Sequence, residues 1–532
     1  MSNYLSAKKL GNLLCAVVVC ISFILSFRAF AAHLSPNLNS DHAIHILMAY
    51  DLKLPDDLYY WGQSRLGSIV PILGHILFKL FPISPAIAVA CVQYFLLLVG
   101  YLCFASLLNH PVSRLILAIA WFLPLRNILG LLRIGQPYAG QLAFIGIAFV
   151  LLDRLIRYPE KFTGAKRQTI LALSVASLFL GYWVSDFTII TILILAGFGF
   201  RTVYLKIIER SPTATFSWKA AILQPDVITV LTVSLAGVLF TRYAKSVALQ
   251  EVSQFGFSSL SHFGDTISRL SLSFFRTLTF QAISVFQTFF AILITAVILY
   301  LIHSGIRESR FKTLATFNWL NVFLISAVCG FLILIWSDWV YRNNLDFRYF
   351  VPIYIYGWMA VLLWVENLQP ATARRLGIVL VCAVVASSLS LPGYVFSIKP
   401  HGSQIKRLQP IAALGSIGII GDYWSSYILC SVNPAQLSCT PYDSQGEFSC
   451  PVNALSSDLK RTRRVRCPRC VRRVFNSETI YLVKERWLDA SPQPIDFPAE
   501  TEQFGQCLVK VGEPIKRSGY TLAPYKRRAV AP

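Results

Sequence analysis

The sequence predicts an all-α polytopic membrane bundle of about eleven spans, with interfacial helices in the first outer loop and a small C-terminal extracytoplasmic α/β domain. Three observations predict this architecture. The chain of 532 residues is 55% hydrophobic and only 14% charged, whereas a soluble domain carries about 25% charged residues. Apolar stretches of ~18 residues or more recur along most of the length. The last part of the chain instead has few apolar runs and is rich in proline and charge.

The apolar segments give the predicted spans in chain order. They are 11–31, 86–108, 113–132, 138–156, 168–185, 187–205, 226–243, 279–302, 317–337, 350–366 and 375–392. The first run, Gly11–Ala32, lacks a clean small-x-small cleavage site before a globular domain, which argues against a cleaved signal peptide.

The segment Gly67–Phe81 is apolar but short, and it contains a proline, a histidine and a lysine. The positive-inside rule decides how it is placed. If it lies in the interface and the N-terminus is cytoplasmic, every strongly basic short loop, including 153–168, falls on the cytoplasmic side. We therefore expect residues 1–392 to form the membrane module of a bacterial inner membrane protein and residues 393–532 to form an extracytoplasmic domain.

The first outer loop opens with "SDHAIHILMAY", in which Ser40 suits a helix N-cap and Asp41 falls in the first turn. Asp41 either complements the helix dipole or supplies a carboxylate at the mouth of a membrane cavity, as a base or a cation ligand. His42 and His45 have the spacing of a metal-ligand pair, but H-x-x-H without further ligands does not define a metal site. The following Tyr59-Tyr60-Trp61 suits an interfacial aromatic belt or a sugar or lipid headgroup.

The tail contains three predicted elements: "GSIGIIG" as a buried strand, "DYWSSYILCSV" as a helix and "SETIYLVKERW" as a strand. Its six cysteines suggest disulfides in an oxidising compartment. Cys467-Pro-Arg-Cys470 could be a redox pair, half a zinc site or a structural bridge, and the outer location favours a bridge. The surrounding basic run, 460–473, suits anionic lipid headgroups, a cell-surface polymer or solvated charge better than nucleic acid.

Four arginines fall on the outer side by this topology: Arg65, Arg133, Arg342 and Arg348. Guanidinium groups bind phosphate in two-pronged fashion, but each arginine alone could equally extend to lipid headgroups. Asp186 and Asp338 are acids on the same side and are candidate structural partners of these arginines.

The order of these features resembles the GT-C superfamily of membrane glycosyltransferases, which includes protein O-mannosyltransferases, the lipid A aminoarabinose transferase and an uncharacterised bacterial branch. "WGQSRLGSIVP" resembles the first-loop Gly-Gln motif of that branch, and "GYWVSD" resembles its short hairpin. "DFRYFVPIY" near the end of the bundle and "GDYWSSYIL" at the start of the tail are similar to two further motifs.

The resemblance implies an inverting transfer of a sugar from a polyprenyl-phosphate donor to a lipid, glycan or protein acceptor of the envelope, on the outer face of the membrane. It implies Asp41 as the catalytic base or metal-associated carboxylate. It implies Arg348 and Tyr349 as the pair near the carrier phosphate. Because the leaving group is an anion, we also expect Arg65 and Arg133 to bind substrate, together with Gln63 of the Gly-Gln motif.

Many members of the superfamily carry a second acid beside the first, where this chain has His42. The resemblance therefore names no metal ligand and leaves a divalent cation open. Two other functions stay open from the sequence: a transporter or flippase of lipid-linked sugars, and a non-catalytic envelope scaffold. No convincing internal repeat of the kind that transporters show is present.

Overall fold

The structure is a computed structural model that describes residues 2–210, 223–248, 256–307, 316–397, 402–443, 450, 466–484 and 497–528. For residues 2–12 and 206–210 it describes the backbone. The described helices are α1 (Ser2–Phe30), α2 (Ser40–Tyr50), α3 (Ile69–Leu80), α4 (Pro85–Ser106), α5 (Pro111–Phe122), α6 (Tyr138–Arg157), α7 (Gly164–Val184), α8 (Thr188–Arg210), α9 (Pro225–Val247), α10 (Leu260–Leu278), α11 (Val285–Arg307), α12 (Trp319–Ile335), α13 (Asp338–Arg342), α14 (Val351–Glu366), α15 (Pro370–Leu389), α16 (Gln404–Ala412), α17 (Tyr423–Cys430) and α18 (Pro468–Phe475).

The predicted membrane bundle is confirmed. In the described part of the chain, nine helices are long and apolar enough to cross a membrane. The remaining two predicted spans coincide with the shorter apolar helices α5 and α12. The segment at 67–81 forms the separate short helix α3, and its location in the interface stays a prediction.

Two parts of the bundle differ from the prediction. The span predicted at 113–132 ends as an α-helix at Phe122, and a 3-10 helix follows at Arg126–Leu131. Pro124 explains the break, since its ring and missing N–H end an α-helix. The predicted outer loop at 245–278 contains α10, whose residues Phe263 and Leu270 pack on an apolar cluster formed by Ile335, Val340, Leu345 and Phe350.

The tail is the predicted small α/β domain, built on one mixed sheet. The described strands are β1 (Ile417–Gly421), β2 (Leu437–Pro441), β3 (Ile480–Val483), β4 (Glu500–Gln503), β5 (Gln506–Lys510), β6 (Ile515–Arg517) and β7 (Tyr520–Arg527). Their order is β2-β1-β3-β7-β5-β4, with β6 paired to β7. Strands β2, β1 and β3 run parallel, with Ile417 opposite Leu437 and Gly418 opposite Ile480.

Strand β1 is the centre of the parallel part, and all five of its residues are buried. Helix α18 lies so close to it that a Cβ on Gly418 would stand 2.7 Å from the Val474 carbonyl oxygen. Glycine is therefore required at this position for the helix to approach the strand. The predicted strand "GSIGIIG" and helix "DYWSSYILCSV" are confirmed as β1 and α17, and the third predicted element as β3 over its described residues.

The six tail cysteines form three disulfides: Cys430–Cys439, Cys450–Cys507 and Cys467–Cys470. The structure thus confirms the predicted bridges and makes the C-x-x-C motif a bridge. The first part of the basic run, 460–465, lies outside the described residues.

The described chain divides into two compact units. One holds residues up to Arg28, the described residues of Tyr94–Arg242 and those from 256 to 397. The other holds Ala29–Gln93, the short stretch 243–248 and the described residues of the tail. The first outer loop and the tail domain therefore belong to the same unit.

Candidate active site

Asp41 lies in the first turn of α2, as the sequence predicts, but the residue that caps this helix differs. Asn39 is the N-cap, and its side chain accepts a hydrogen bond from the His42 backbone N–H at 3.0 Å. The His42 ring accepts one from the Asn39 N–H in return, at 3.4 Å. Ser40, predicted as the cap, instead donates its hydroxyl to the Tyr423 carbonyl oxygen. The reciprocal cap fixes the helix end that presents Asp41.

Two tyrosine hydroxyls converge on one oxygen of the Asp41 carboxylate. Tyr423 donates to Asp41 Oδ1 at 2.5 Å, and Tyr60 donates to the same atom at 3.2 Å. The two phenol oxygens lie 3.2 Å apart. Within the part of the chain that the structure describes, no side chain donates to the other carboxylate oxygen, Oδ2. Described side chains thus hold the carboxylate through Oδ1, and Oδ2 is here called the open oxygen because no described side chain donates to it.

Both phenols are expected to stay protonated at neutral pH. Burial raises the pKa of Tyr423 well above its ordinary value, and the Asp41 carboxylate raises it further. Burial likewise raises the pKa of Tyr60, with added contributions from Tyr423 and Asp41. The two hydroxyls therefore act as hydrogen-bond donors to Asp41.

A cation stands beside this group. The guanidinium carbon of Arg466 lies 4.3 Å from the centre of the Tyr423 ring, in a cation–π arrangement. Its charge opposes the rise in the pKa of both tyrosines. Arg466 therefore contributes positive charge beside the Tyr423 ring.

The two histidines of α2 contact backbone groups at the start of the helix. The His45 Nδ1 atom lies 3.0 Å from the Asp41 carbonyl oxygen, and the ring packs 5.3 Å from the Tyr60 ring. Burial lowers the pKa of His45 to about 4, so the imidazole is neutral at physiological pH. The Nδ1 atoms of both His42 and His45 contact backbone groups of the first turn, which accounts for the H-x-x-H spacing structurally.

Among the described residues, one group of three side chains has the proximity of a metal site: Cys450, Glu500 and Cys507. It lies in the tail, and its two sulfurs are joined in a disulfide, so they are not thiolate ligands. At Asp41 the donor available to a cation is the open carboxylate oxygen. Whether the site takes a divalent cation stays a prediction.

Gln63 and Arg65 lie in the tight loop that follows Tyr60. Gly62 turns the chain with a φ of 79°, and the Tyr60 N–H donates to the Leu66 carbonyl oxygen at 2.9 Å. Arg65 Nε donates to Gln63 Oε1 at 3.3 Å. Both side chains are half-buried and belong to the same unit as Asp41.

Arg348 and Tyr349 lie in the other unit, in the 3-10 helix Phe347–Phe350. Arg348 Nη2 donates to the Tyr349 hydroxyl at 3.0 Å, and Arg348 Nε pairs with the Asp346 carboxylate at 3.2 Å. Trp339 Nε1 also donates to the Tyr349 hydroxyl, at 3.0 Å. The predicted pair is thus one hydrogen-bonded group, anchored on both sides.

A glycine lets this group pack on the 3-10 helix Arg126–Leu131. A Cβ on Gly130 would stand 3.0 Å from Arg348 Cβ and 3.3 Å from its Cα. Arg133, three residues further on, is exposed, and its side chain forms no hydrogen bond or ion pair with a described residue. Asp338 pairs with Arg342 at 2.7 Å, which confirms it as a structural partner of one of the four arginines that we expect on the outer side.

The structure brings together Gln63 with Arg65, and Arg348 with Tyr349. It also adds three residues to Asp41: Tyr60, Tyr423 and Arg466. The sequence offered Tyr423 within "GDYWSSYIL" and Arg466 within the basic run, without a role for either.

Comparison with known proteins supports a fold assignment. No protein-family model and no curated protein matches the chain. ArnT from Cupriavidus metallidurans in the apo state is similar with a TM-score of 0.54 at 10% identity, over 97% of this chain and 98% of that one. The same protein bound to undecaprenyl phosphate gives 0.54 at 10%, over 96% and 97%. The oligosaccharyltransferase AglB from Archaeoglobus fulgidus gives 0.44 at 11%, over 88% and 69%. The likeness to ArnT shows that this chain has the GT-C fold.

Proposed function

We propose that the protein is a membrane glycosyltransferase that moves a sugar from a polyprenyl-phosphate-linked donor to an envelope acceptor on the outer face of a bacterial inner membrane. The GT-C fold, shared with ArnT over nearly the whole of both chains, supports the general class. The single observation that carries the proposal is the Asp41 carboxylate, held by two phenols at Oδ1 and open at Oδ2.

In this mechanism Asp41 is the general base. Its open oxygen takes the proton of an acceptor hydroxyl, and the acceptor oxygen attacks the anomeric carbon of the donor sugar. The bond from that carbon to the phosphate oxygen breaks, and polyprenyl phosphate leaves with the electron pair. One displacement at the anomeric carbon inverts its configuration. Tyr60 and Tyr423 orient the base and stay protonated throughout.

The leaving group is an anion, so the reaction needs cations near the phosphate. Arg348, with Tyr349 oriented against it, is the proposed phosphate ligand. Gln63, Arg65 and Arg133 are proposed as further donor or acceptor contacts. A divalent cation bound at Oδ2 would occupy the oxygen that takes the acceptor proton, so for that atom the cation role and the base role are alternatives.

The test uses a deletion strain complemented with single variants, followed by mass spectrometry of its envelope glycans and lipids. Asp41→Asn keeps the shape of the side chain but removes the base, so transfer should fall by about 100-fold or more. Asp56→Asn is the matched control, because Asp56 is exposed in the same outer loop. Equal transfer by Asp41→Asn and wild type, at equal membrane levels, would exclude Asp41 as the base. A deletion strain with unchanged envelope sugars would exclude the function itself.

A further inference from the structure

The C-x-x-C motif forms a closed turn at the start of α18, here called the bridged turn (Arg466–Cys470). Cys467 is the N-cap of α18, and its sulfur accepts from the Cys470 N–H at 3.2 Å. The Cys467–Cys470 disulfide closes the turn, and both cysteines are buried. The covalent closure fixes the directions in which Arg466 and Arg469 leave the backbone.

Arg469 enters an acidic pocket of the first outer loop. Its guanidinium pairs with the Asp57 carboxylate, and its Nε lies 3.4 Å from Asp51 Oδ2. The Arg469 side chain is 19% exposed and that of Asp57 is 3% exposed. Arg473, one turn further along α18, pairs with Asp51 at 2.8 Å. Removing one partner of such a buried pair leaves an uncompensated charge, which is strongly unfavourable.

The same pocket fixes the residue next to Tyr60. Trp61 Nε1 donates to Asp57 Oδ1 at 2.9 Å, and the Arg469 guanidinium carbon lies 5.5 Å from the centre of the Trp61 ring. The Lys53 backbone N–H also donates to Asp57, at 2.8 Å. Arg469 therefore holds the stretch of loop from which Tyr60 reaches Asp41.

At the other end of the bridged turn, Arg466 stacks on the ring of Tyr423, the second donor to Asp41. The five-residue turn thus contacts Tyr423 through Arg466, and it contacts Trp61, the residue next to Tyr60, through Arg469. We propose that Arg466 and Arg469 are positioning residues, which hold the Tyr423 and Tyr60 hydroxyls on Asp41 Oδ1 and so aim the open carboxylate oxygen. This role rests on the proposed glycosyl transfer, whereas the contacts can be tested without it.

The first test places 3-fluorotyrosine at position 423 of the full chain in detergent and records its ¹⁹F resonance. Arg466→Ala removes the stacked cation and should move the resonance, and Arg466→Lys should restore it in part, since ammonium lacks the planar stacking group. Cys467→Ser with Cys470→Ser opens the turn and should move it in the same direction. Arg472→Ala is the matched control, because Arg472 is exposed on α18. If Arg466→Ala leaves the ¹⁹F chemical shift unchanged, the assignment of Arg466 is wrong.

The second test measures hydrogen–deuterium exchange in peptides that cover residues 53–66. Arg469→Ala should raise their exchange rate by about 10-fold or more, as expected for a loop that loses its anchor. Arg472→Ala should leave the rate unchanged. Equal rates in the two variants would overturn the Arg469 assignment. Arg469→Gln, which removes the charge but keeps a polar side chain, carries the same test if Arg469→Ala does not purify as a single species.

Transfer in the complemented strain completes the test. Arg466→Ala should lower transfer by about 10-fold, and Arg466→Lys should recover part of it. A shifted ¹⁹F resonance with wild-type transfer would overturn the positioning role. If Asp41→Asn leaves transfer intact, the glycosyltransferase proposal fails, while the resonance and exchange results still decide whether the bridged turn holds the two tyrosines.

Discussion

The two tyrosines on Asp41 share one acceptor atom, and this makes their contributions interdependent. Tyr423→Phe removes the donor at 2.5 Å and should lower transfer by about 10-fold. Tyr60→Phe removes the donor at 3.2 Å and should lower transfer by a smaller factor. The double variant should be non-additive, because the two phenols orient the same oxygen and lie within 3.2 Å of each other. Transfer by the four members of this cycle measures the coupling.

Tyr481→Phe serves as the control for this cycle, since Tyr481 lies on β3 of the same tail domain and forms no side-chain hydrogen bond with a described residue. Simple additivity of the two losses would contradict a shared acceptor. Wild-type transfer by Tyr423→Phe would show that the 2.5 Å hydrogen bond has no part in catalysis.

His45 predicts an acid-sensitive stability. Burial lowers its pKa to about 4 in the folded protein, whereas an unfolded histidine titrates near 6.5. The unfolded chain therefore binds a proton first as the pH falls. The stability due to neutral His45 is complete above about pH 6.5 and is lost progressively down to about pH 4, by up to roughly 3 kcal/mol. Thermal unfolding followed between pH 7.5 and pH 4 measures this slope.

The comparison for that slope is His45→Gln, which keeps a side-chain N–H for the Asp41 carbonyl but does not titrate. Its unfolding temperature should depend less on pH across this window than that of the wild type. Identical slopes in the two proteins would mean that another group accounts for the acid sensitivity.

At the scale of elements, the contact between the 3-10 helix Arg126–Leu131 and Arg348 depends on Gly130, which has no side chain. A Cβ on Gly130 would press on Arg348 Cβ at 3.0 Å. Gly130→Ala should therefore displace Arg348 or cost about 1–3 kcal/mol of stability. If Arg348 binds the carrier phosphate, affinity for undecaprenyl phosphate should fall by about 10-fold.

Gly357→Ala is the matched change for that prediction, since a Cβ at this position of α14 meets no atom within 4 Å. It should leave affinity unchanged and cost no stability, because alanine favours a helix interior over glycine. Native mass spectrometry of purified variants with undecaprenyl phosphate measures the binding. If Arg348→Ala loses binding and Gly130→Ala keeps it, the glycine contact does not position the arginine.

Secondary-structure elements were predictable where a single requirement, such as the pairing of backbone polar groups inside a membrane, decides the structure. Long apolar runs such as 138–156 have one solution in a bilayer, a helix, because every backbone polar group must be paired internally. Helix α10 was missed because hydropathy alone does not detect it, although Phe263, Ile267, Leu270 and Phe274 follow a helical spacing. The N-cap was assigned one residue too late, since Asn39 and Ser40 are both good caps and the choice depends on where the Ser40 hydroxyl finds an acceptor.

At the scale of the whole molecule, the sequence named only part of the candidate site. The local pattern placed Asp41 in the first turn of a helix, and the resemblance gave roles to Asp41, Arg348 and Tyr349 that stay proposals. Tyr423 reaches Asp41 across 382 positions of sequence, so nothing in the local pattern pairs them. Arg466 and Arg469 lie in a basic run whose composition fits solvated charge. Only the folded chain brings Arg466 to Tyr423 of the tail and Arg469 to Asp51 and Asp57 of the first outer loop.

The orientation of the chain is the last prediction. The basic loop at 153–168 should face the cytoplasm by the positive-inside rule, and the tail should lie outside, where its three disulfides form readily. Glu160→Cys and Glu513→Cys are a matched pair, since each replaces an exposed glutamate by a thiol. The background is low, because the tail cysteines are bridged and the six free cysteines lie in α1, α4, α12 and α15.

A membrane-impermeant maleimide should label Glu513→Cys in intact spheroplasts and Glu160→Cys only after the membrane is opened. The physical reason is the potential and lipid asymmetry that keep Lys and Arg of short loops inside. The labelling of the tail also reports the side on which Asp41 lies. The first outer loop and the tail belong to one unit and should be accessible from the same side of the membrane. Labelling of Glu160→Cys in intact spheroplasts, with Glu513→Cys protected, would put Asp41 in the cytoplasm and contradict transfer on the outer face.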